Sequence, residues 1–374
     1  MNGDISLLRA GTWRRERLLI VGRVALTEQI LSALDTQSTG VPRVIGIVDD
    51  LAPGVAHPPM PPLLGPVARL AGIVEETRPD RVLVALGERR SRTPIRALVE
   101  SCVARGIVVE DASDYYERLT GRLAIESLAP TSIVFSRRFG PSFFDCLFAR
   151  AVSLAVAAAG LVLLAPLMVI IAIAVKVESR GPVLFVQRRI GARGRPFNLM
   201  KFRTMRPAVR RNSEWECDNR DRVTKLGRWL RAFRLDELPQ FVNVLRGEMN
   251  LVGPRPHPVS NFELFTLVSR NVNDVTGSAI AYYTLRTMVR PGLTGWAQVR
   301  YRYANNIEEE IEKLKYDLYY VKYASAGLDL RILFHTIKVV LCGQRATAPT
   351  PSTDIVETSK TLGLPPDVTR AHAA

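Results

Sequence analysis

Between Arg150 and Lys176 the chain carries 25 consecutive uncharged residues, Ala151–Val175. As one straight helix this run would extend roughly 37 Å, enough to cross the hydrocarbon core of a bilayer. Two features oppose a simple crossing. Pro166 lies near the middle, where it removes a backbone hydrogen bond and favours a break or sharp kink. Positive charge flanks both ends: Arg137, Arg138 and Arg150 before the run, then Lys176, Arg180, Arg188, Arg189, Arg193 and Arg195 after it. Both flanks therefore prefer the cytoplasmic side, which a re-entrant segment satisfies and a spanning helix does not. A spanning helix and a buried core helix are the alternatives. The length and near-absence of polar residues weaken the second.

The rest of the chain is not membrane-like. Its hydrophobic content of 47% is that of globular proteins, which excludes a polytopic membrane protein. A formal net charge of +15 attracts polyanions, whether nucleic acid, lipid headgroups or phosphorylated substrates. Cys102, Cys146, Cys217 and Cys342 are scattered without a CxxC pair, so neither a disulfide framework nor a zinc site is expected, and a reducing compartment fits. Met1–Arg17 holds no apolar run long enough for a signal-peptide core, so the N-terminal part is expected in the cytoplasm.

After a tail over 1–16, residues 17–112 alternate short apolar runs with helical patterns. The strand-like runs are Leu18–Val21, Val44–Val48, Arg81–Leu86 and Ile107–Val109. Helical patterns run to about Leu34, over Pro66–Thr77 and around Thr93–Arg105, and Pro58, Pro59, Pro61 and Pro62 mark a loop. This alternation predicts a doubly wound parallel α/β sheet. Gly22, with Asp49 or Asp50 in the ribose position, invites a dinucleotide site. The GxGxxG glycines are missing, however, so the domain reads as a degenerate, structural or regulatory Rossmann-like unit with no bound cofactor. Residues 113–139 read as a linker.

Residues 180–234 hold 16 Lys and Arg against 4 Asp and Glu. Next to a membrane segment, such residues are drawn to anionic headgroups. Lys201-Phe-Arg203-Thr-Met interleaves cations with apolar residues, as anchored cations facing a site would. Arg228, Arg231 and Arg234 lie three apart, so on a helix they form a basic stripe ending at Asp236-Glu237. Adjacent carboxylates among guanidiniums suit phosphoryl chemistry: one attacks phosphorus while the other helps hold a divalent cation. Spacing alone equally allows a surface acidic pair balanced by arginines. Arg255 between Pro254 and Pro256 fits either a rigidly presented phosphate-binding guanidinium or a plain structural turn. Arg290-Pro-Gly-Leu-Thr-Gly-Trp296-Ala-Gln298 is a second rigid turn region.

Together, Lys201–Met205, Asp236-Glu-Leu-Pro-Gln240, Asn250-Leu-Val-Gly-Pro-Arg-Pro256 and Arg290–Gly295 resemble the successive motifs of bacterial sugar transferases, the monotopic polyprenyl-phosphate glycosylphosphotransferases. The resemblance covers about 140–345, in order, and includes the hydrophobic segment with its central proline. It implies a catalytic domain over 140–344, mainly α, on the cytoplasmic face of the bacterial inner membrane and inserted into one leaflet. It implies that Asp236 attacks the β-phosphate of a UDP-sugar, that UMP leaves, and that polyprenyl (undecaprenyl) phosphate then accepts the sugar phosphate, initiating exopolysaccharide or related glycan synthesis. Asp236 and Glu237 would hold Mg²⁺. Lys201, Arg203, Arg231, Arg255, Arg290 and Gln298 are the matching substrate-binding candidates, and membrane lipid and a second copy in a homodimer are candidate partners. Long family members carry transmembrane helices ahead of the Rossmann-like domain. This sequence departs from that pattern by starting at that domain, and it looks like the exopolysaccharide-system branch.

Two further helices are predicted, Ile307–Tyr323 and Leu328–Leu341, the second with Gly343 as its stop and an apolar face of Leu330, Leu333, Phe334, Ile337 and Val340. That face suits either a headgroup boundary or the core. Residues 345–374, rich in Thr, Pro and Ala, read as disordered. Two other readings are a membrane-associated scaffold or nucleic-acid binder and a Rossmann enzyme that modifies the nucleotide sugar. The cations surround carboxylates instead of forming an open stripe, so no nucleic acid is expected. The missing glycines and the lack of Tyr-x-x-x-Lys oppose the second. Of the histidines, only His257, after Pro256, is placed to matter.

Overall fold

The computed structural model describes residues 16–22, 24–36, 41–50, 61–85, 98, 100–125, 139–206, 222–272, 282–301 and 307–342. The N-terminal apolar runs pair into a wholly parallel sheet of β1 (Arg17–Val21), β2 (Arg43–Val48), β3 (Leu63–Gly65), β4 (Arg81–Val84) and β5 (Val108–Asp111), in the order β3-β2-β1-β4-β5. Alternate side chains of β1 leave opposite faces, and both faces are covered. Leu18 and Ile20 pack with helices α1 (Ala25–Asp35) and α3 (Ala112–Thr120), whereas Leu19 and Val21 pack with α2 (Leu70–Thr77). This is why the strand reads as an unbroken apolar run.

Two elements depart from expectation. β3 falls in the proline-rich stretch, which tolerates it because an edge strand needs only one side of its backbone for pairing: Ile47 donates to the Pro62 carbonyl at 2.9 Å. α3 occupies the start of the expected linker. Asp111 caps it by accepting from the Ser113 amide at 2.8 Å, and Gly121 ends it in a left-handed conformation. Asp50 also serves the backbone, accepting from Val67 N–H at 2.7 Å. Residues 126–138, the C-terminal tail from 343 and most of the N-terminal tail lie outside the described residues.

The apolar run lies within α4 (Phe143–Glu178), which Ser142 and Asp145 start as a reciprocal capping pair. Helical structure is continuous through Pro166, so the expected break is not an end of the helix. A stripe at three- and four-residue spacing faces the protein. Ser153, Ala157, Leu161 and Leu164 lie on the N-terminal side of Pro166, and Leu167, Ile171 and Val175 on the C-terminal side. Pro166 separates the two core clusters these halves join. The other faces are bare: Val162, Leu163, Val169, Ile170 and Ile173 are all exposed. A core helix would not be so naked. One long apolar helix of this kind fits membrane association.

The chain beyond α4 is mainly helical. An antiparallel hairpin, β6 (Leu184–Ile190) with β7 (Pro196–Phe202), leads to α5 (Lys225–Ala232), a 3₁₀ turn Leu235–Glu237 and α6 (Gln240–Leu245). Then come β8 (Asn250–Val252), α7 (Val259–Val272), a 3₁₀ turn Tyr283–Met288, β9 (Gly292–Thr294) parallel to β8, and α8 (Trp296–Arg300). Helices α9 (Ile307–Tyr323) and α10 (Ala326–Cys342) follow, near the predicted bounds, and the expected stop at Gly343 lies outside the described residues. α10 divides its apolar residues: Ile332 and Leu333 join the core, while Leu330, Phe334 and Ile337 face outward.

Candidate active site

The two carboxylates sit on the turn between α5 and α6. Thr224 caps α5 by accepting from Gly227 N–H at 2.9 Å, and the helix ends at Ala232. Arg234 then adopts φ 55°, a left-handed conformation rare for residues with a Cβ. The chain drops into Leu235–Glu237. The three-residue arginine spacing therefore does not form one helical stripe, because Arg234 lies beyond the helix.

Asp236 and Glu237 are 7% and 6% exposed, so the surface-pair reading does not describe them. Their surroundings differ sharply. Glu237 Oε1 lies 3.0 Å from Arg255 Nη2 and 3.4 Å from Lys201 Nζ, and Oε2 lies 3.7 Å from Arg234 Nη1. Burial alone would raise its pKa, but the charges of Arg255, Lys201 and Arg234 outweigh it and hold the carboxyl below its usual range. Among the described residues, no hydrogen bond or ion pair reaches the Asp236 carboxylate. Burial, then the charge of Glu237, pushes its pKa up. One carboxylate is thus ion-paired in place, and its neighbour is buried without such pairs among the described residues. Lys201 is lowered to about 8, first by burial and then by Arg255.

The cations reach the site from separate elements. Lys201 comes from β7, which Asn243 of α6 stitches in place. Its amide accepts from Met200 N–H at 3.1 Å and donates to the Asn198 carbonyl at 2.7 Å and to Glu248 at 2.6 Å. Arg255 follows β8, where the two proline-glycine motifs lie backbone on backbone: Gly253 N–H donates to Thr294 O and Gly292 N–H to Pro254 O, both at 2.9 Å. A Cβ on Gly253 would fall 2.3 Å from Arg290 O, so only glycine permits this approach. From behind, Arg286 Nη2 donates to the Arg255 carbonyl at 2.9 Å and pairs with buried Asp317 at 2.6 Å, while Arg189 Nη1 donates to the Pro256 carbonyl at 2.8 Å. His257 belongs to this support, 2.5 Å from the Tyr283 hydroxyl. Burial, then Arg286, keeps its pKa well below the ordinary value.

The structure therefore brings Lys201, Arg255 and Gln298 to the carboxylate pair, with Gln298 Oε1 accepting from Arg255 Nη1 at 3.1 Å. Arg231 donates to Thr204 Oγ1 at 2.9 Å and opposes the rise at Asp236 through its charge. Arg203 and Arg290 are placed elsewhere. Arg203 Nη2 caps the C-terminus of α4, at 3.3 Å from Val175 O and 2.6 Å from Ser179 O. Exposed Arg290 donates to Gly247 O at 3.2 Å. The sequence places Arg234 only in a helical stripe, and it gives no role to Asn243 or Arg286. A lone Asn amid the apolar residues of α6 and a lone Arg in Tyr283–Met288 are the signals that could have found two of them.

Among the described residues, no cluster of three His, Cys, Asp or Glu side chains could hold a metal. Mg²⁺, however, is ordinarily held by one or two carboxylates plus phosphate oxygens and water. The Asp236–Glu237 pair fits that role only together with a phosphorylated substrate.

Residues 144–343 match the family described as bacterial sugar transferase. The chain is 36% identical over 243 residues to UDP-N-acetylgalactosamine-undecaprenyl-phosphate N-acetylgalactosaminephosphotransferase of Aeromonas hydrophila, covering 65% of this chain and 54% of that one. It is 32% identical over 338 residues to undecaprenyl-phosphate glucose phosphotransferase of Komagataeibacter xylinus, covering 86% and 58%. To UDP-glucose:undecaprenyl-phosphate glucose-1-phosphate transferase of Klebsiella pneumoniae it is 42% identical over 196 residues, covering 52% and 40%. The chain spans about half the length of the curated relatives it matches. With the family match covering α4, the carboxylate turn and the cation-bearing segments around it, the chain belongs to the bacterial sugar transferases.

Proposed function

We propose that this chain transfers a sugar-1-phosphate from a UDP-sugar to polyprenyl phosphate, undecaprenyl phosphate being the acceptor named in its relatives, and so initiates synthesis of a surface glycan. The observation that carries the reading is the unequal treatment of two adjacent buried carboxylates. An Asp236 carboxylate oxygen attacks the β-phosphorus of the UDP-sugar, and the bond from that phosphorus to the bridging oxygen breaks. UMP leaves, and the phosphosugar stays on Asp236 as an acyl phosphate. A phosphate oxygen of the polyprenyl phosphate then attacks the same phosphorus and frees the carboxylate. Glu237 cannot compete as nucleophile, because three cations hold its charge. Lys201 and Arg255 neutralise the incoming diphosphate, which would otherwise repel an anionic nucleophile. Asp236, Glu237 and the diphosphate oxygens would together hold Mg²⁺, which supplies further neutralisation of the departing phosphate.

The site suits an acceptor that arrives from the membrane. Both ends of α4 are tied to the same polar body: Asp145 accepts from Ala326 N–H at 3.3 Å near its start, and Glu178 accepts from Leu226 N–H at 2.9 Å at its end. This supports a re-entrant, monotopic seat on the cytoplasmic face of the inner membrane, with the outward residues of α10 in the headgroup region. The strand order β3-β2-β1-β4-β5 supports a Rossmann-like N-terminal domain. The test is product analysis with purified protein, Mg²⁺, polyprenyl phosphate and a panel of UDP-hexoses and UDP-N-acetylhexosamines. UMP release with one of them is expected, and release of UDP would mean glycosyl transfer instead.

A further inference from the structure

Arg255 and Arg234 converge on Glu237, and both also converge on a second acceptor. Gln298 Oε1 accepts from Arg255 Nη1 at 3.1 Å and from Arg234 Nη1 at 3.4 Å. The amide orientation follows from these partners, since guanidinium groups can only donate. Two like charges brought to one carboxylate repel each other, and an acceptor shared between them offsets that repulsion. A neutral carbonyl does so without drawing either cation away from Glu237; a carboxylate in its place would compete. Gln298 is itself firmly seated. It lies on α8, whose Trp296 donates its indole N–H to Gly121 O at 2.8 Å and stacks on Tyr319. Among the described residues its Nε2 is buried without a hydrogen-bond partner, while its oxygen faces the two arginines.

We propose that Gln298 is a positioning residue: its amide carbonyl holds Arg234 and Arg255 against Glu237, so that Asp236 alone is left free to attack. This rests on the transfer reading of the site. It replaces direct substrate binding as the role of Gln298.

Three variants test it in the full-length chain: Gln298→Met, which keeps the length and removes the acceptor; Gln298→Asn, which keeps the amide but shortens its reach; and Gln298→Glu, which introduces the competing carboxylate. Loosening guanidiniums by about an ångström is expected to lower kcat for UMP release by roughly tenfold to a hundredfold, with KM for the UDP-sugar changed far less. In Gln298→Glu the loss should persist as pH is lowered, because the two guanidiniums keep the new carboxyl ionised while Asp236 takes up its proton first. Wild-type kcat in Gln298→Met, or a loss confined to KM, overturns the proposal. If the wild-type protein itself releases no UMP, the transfer reading fails on its own. A crystal structure of Gln298→Met then decides: Arg234 or Arg255 displaced from the Glu237 carboxylate supports the positioning role, and both arginines left at 3.7 and 3.0 Å from it refute that role.

Discussion

Burying Asp236 beside an ionised Glu237 works against folding at neutral pH, since desolvation and like charge both raise its pKa. A carboxyl raised in this way is disfavoured in its charged form above its folded pKa, and the penalty disappears once pH falls below the unfolded value. Asp236→Asn is therefore expected to raise the Tm at pH 7.5 while abolishing turnover, with the Tm gain shrinking as thermal melts are taken toward pH 4. Lys201 gives the opposite limb of the rate profile. In the proposed reaction its charged form neutralises phosphate, so the rate should fall as pH rises through about 8. Lys201→Arg should move that alkaline limb upward, and a limb left in place would remove Lys201 from the chemistry. The residues around Asp236 were only partly legible. Lys201 and Arg203 alternate as though on one strand face, but β7 ends at Phe202. Arg203 therefore leaves the pattern and turns to the α4 carbonyls. Nothing in the sequence shows that α5 stops before Arg234.

At the scale of elements, the continuous apolar runs of the parallel sheet were readable because both faces are buried. The β6–β7 hairpin was hidden: its strands read as part of a basic region, and Phe185 and Val186 remain exposed. Asn243 holds this hairpin to α6 through two β7 backbone groups. Asn243→Ala leaves both unpaired and should cost about 2 kcal/mol or more, seen as a lower Tm in detergent, with activity falling as Lys201 shifts. For α4, the ties at both ends argue that its flanks share one side of the membrane. Cys146 and a cysteine introduced by Arg180→Cys should both resist a membrane-impermeant maleimide in intact cells and react once the cells are opened. Labelling of just one in intact cells would mean that the helix crosses.

Over the whole molecule, the N-terminal sheet region is bolted to α9 by contacts between segments about two hundred residues apart. Lys322 Nζ pairs with buried Glu117 at 2.7 Å, the Tyr323 hydroxyl donates to the same carboxylate at 2.7 Å, and Arg122 donates to the Tyr316 hydroxyl at 2.8 Å. No local pattern announces such pairing, which is why residues 113–120 read as linker. Gly121 serves this seat twice. Its φ of 70° favours glycine, and a Cβ would fall 3.0 Å from Trp296 Cζ2. Gly121→Val should therefore loosen the seat. Calorimetry is expected to show two separated transitions where the wild type shows closer coupling. Beyond this seat, the proposed transfer makes Asp236 the point of covalent attachment. Intact-protein and peptide mass spectrometry after incubation with UDP-sugar and Mg²⁺, without polyprenyl phosphate, tests that directly. The expected result is one sugar phosphate on the peptide containing Asp236, absent in Asp236→Asn and discharged by adding polyprenyl phosphate. UMP release by Asp236→Asn, or an adduct on another residue, would contradict it.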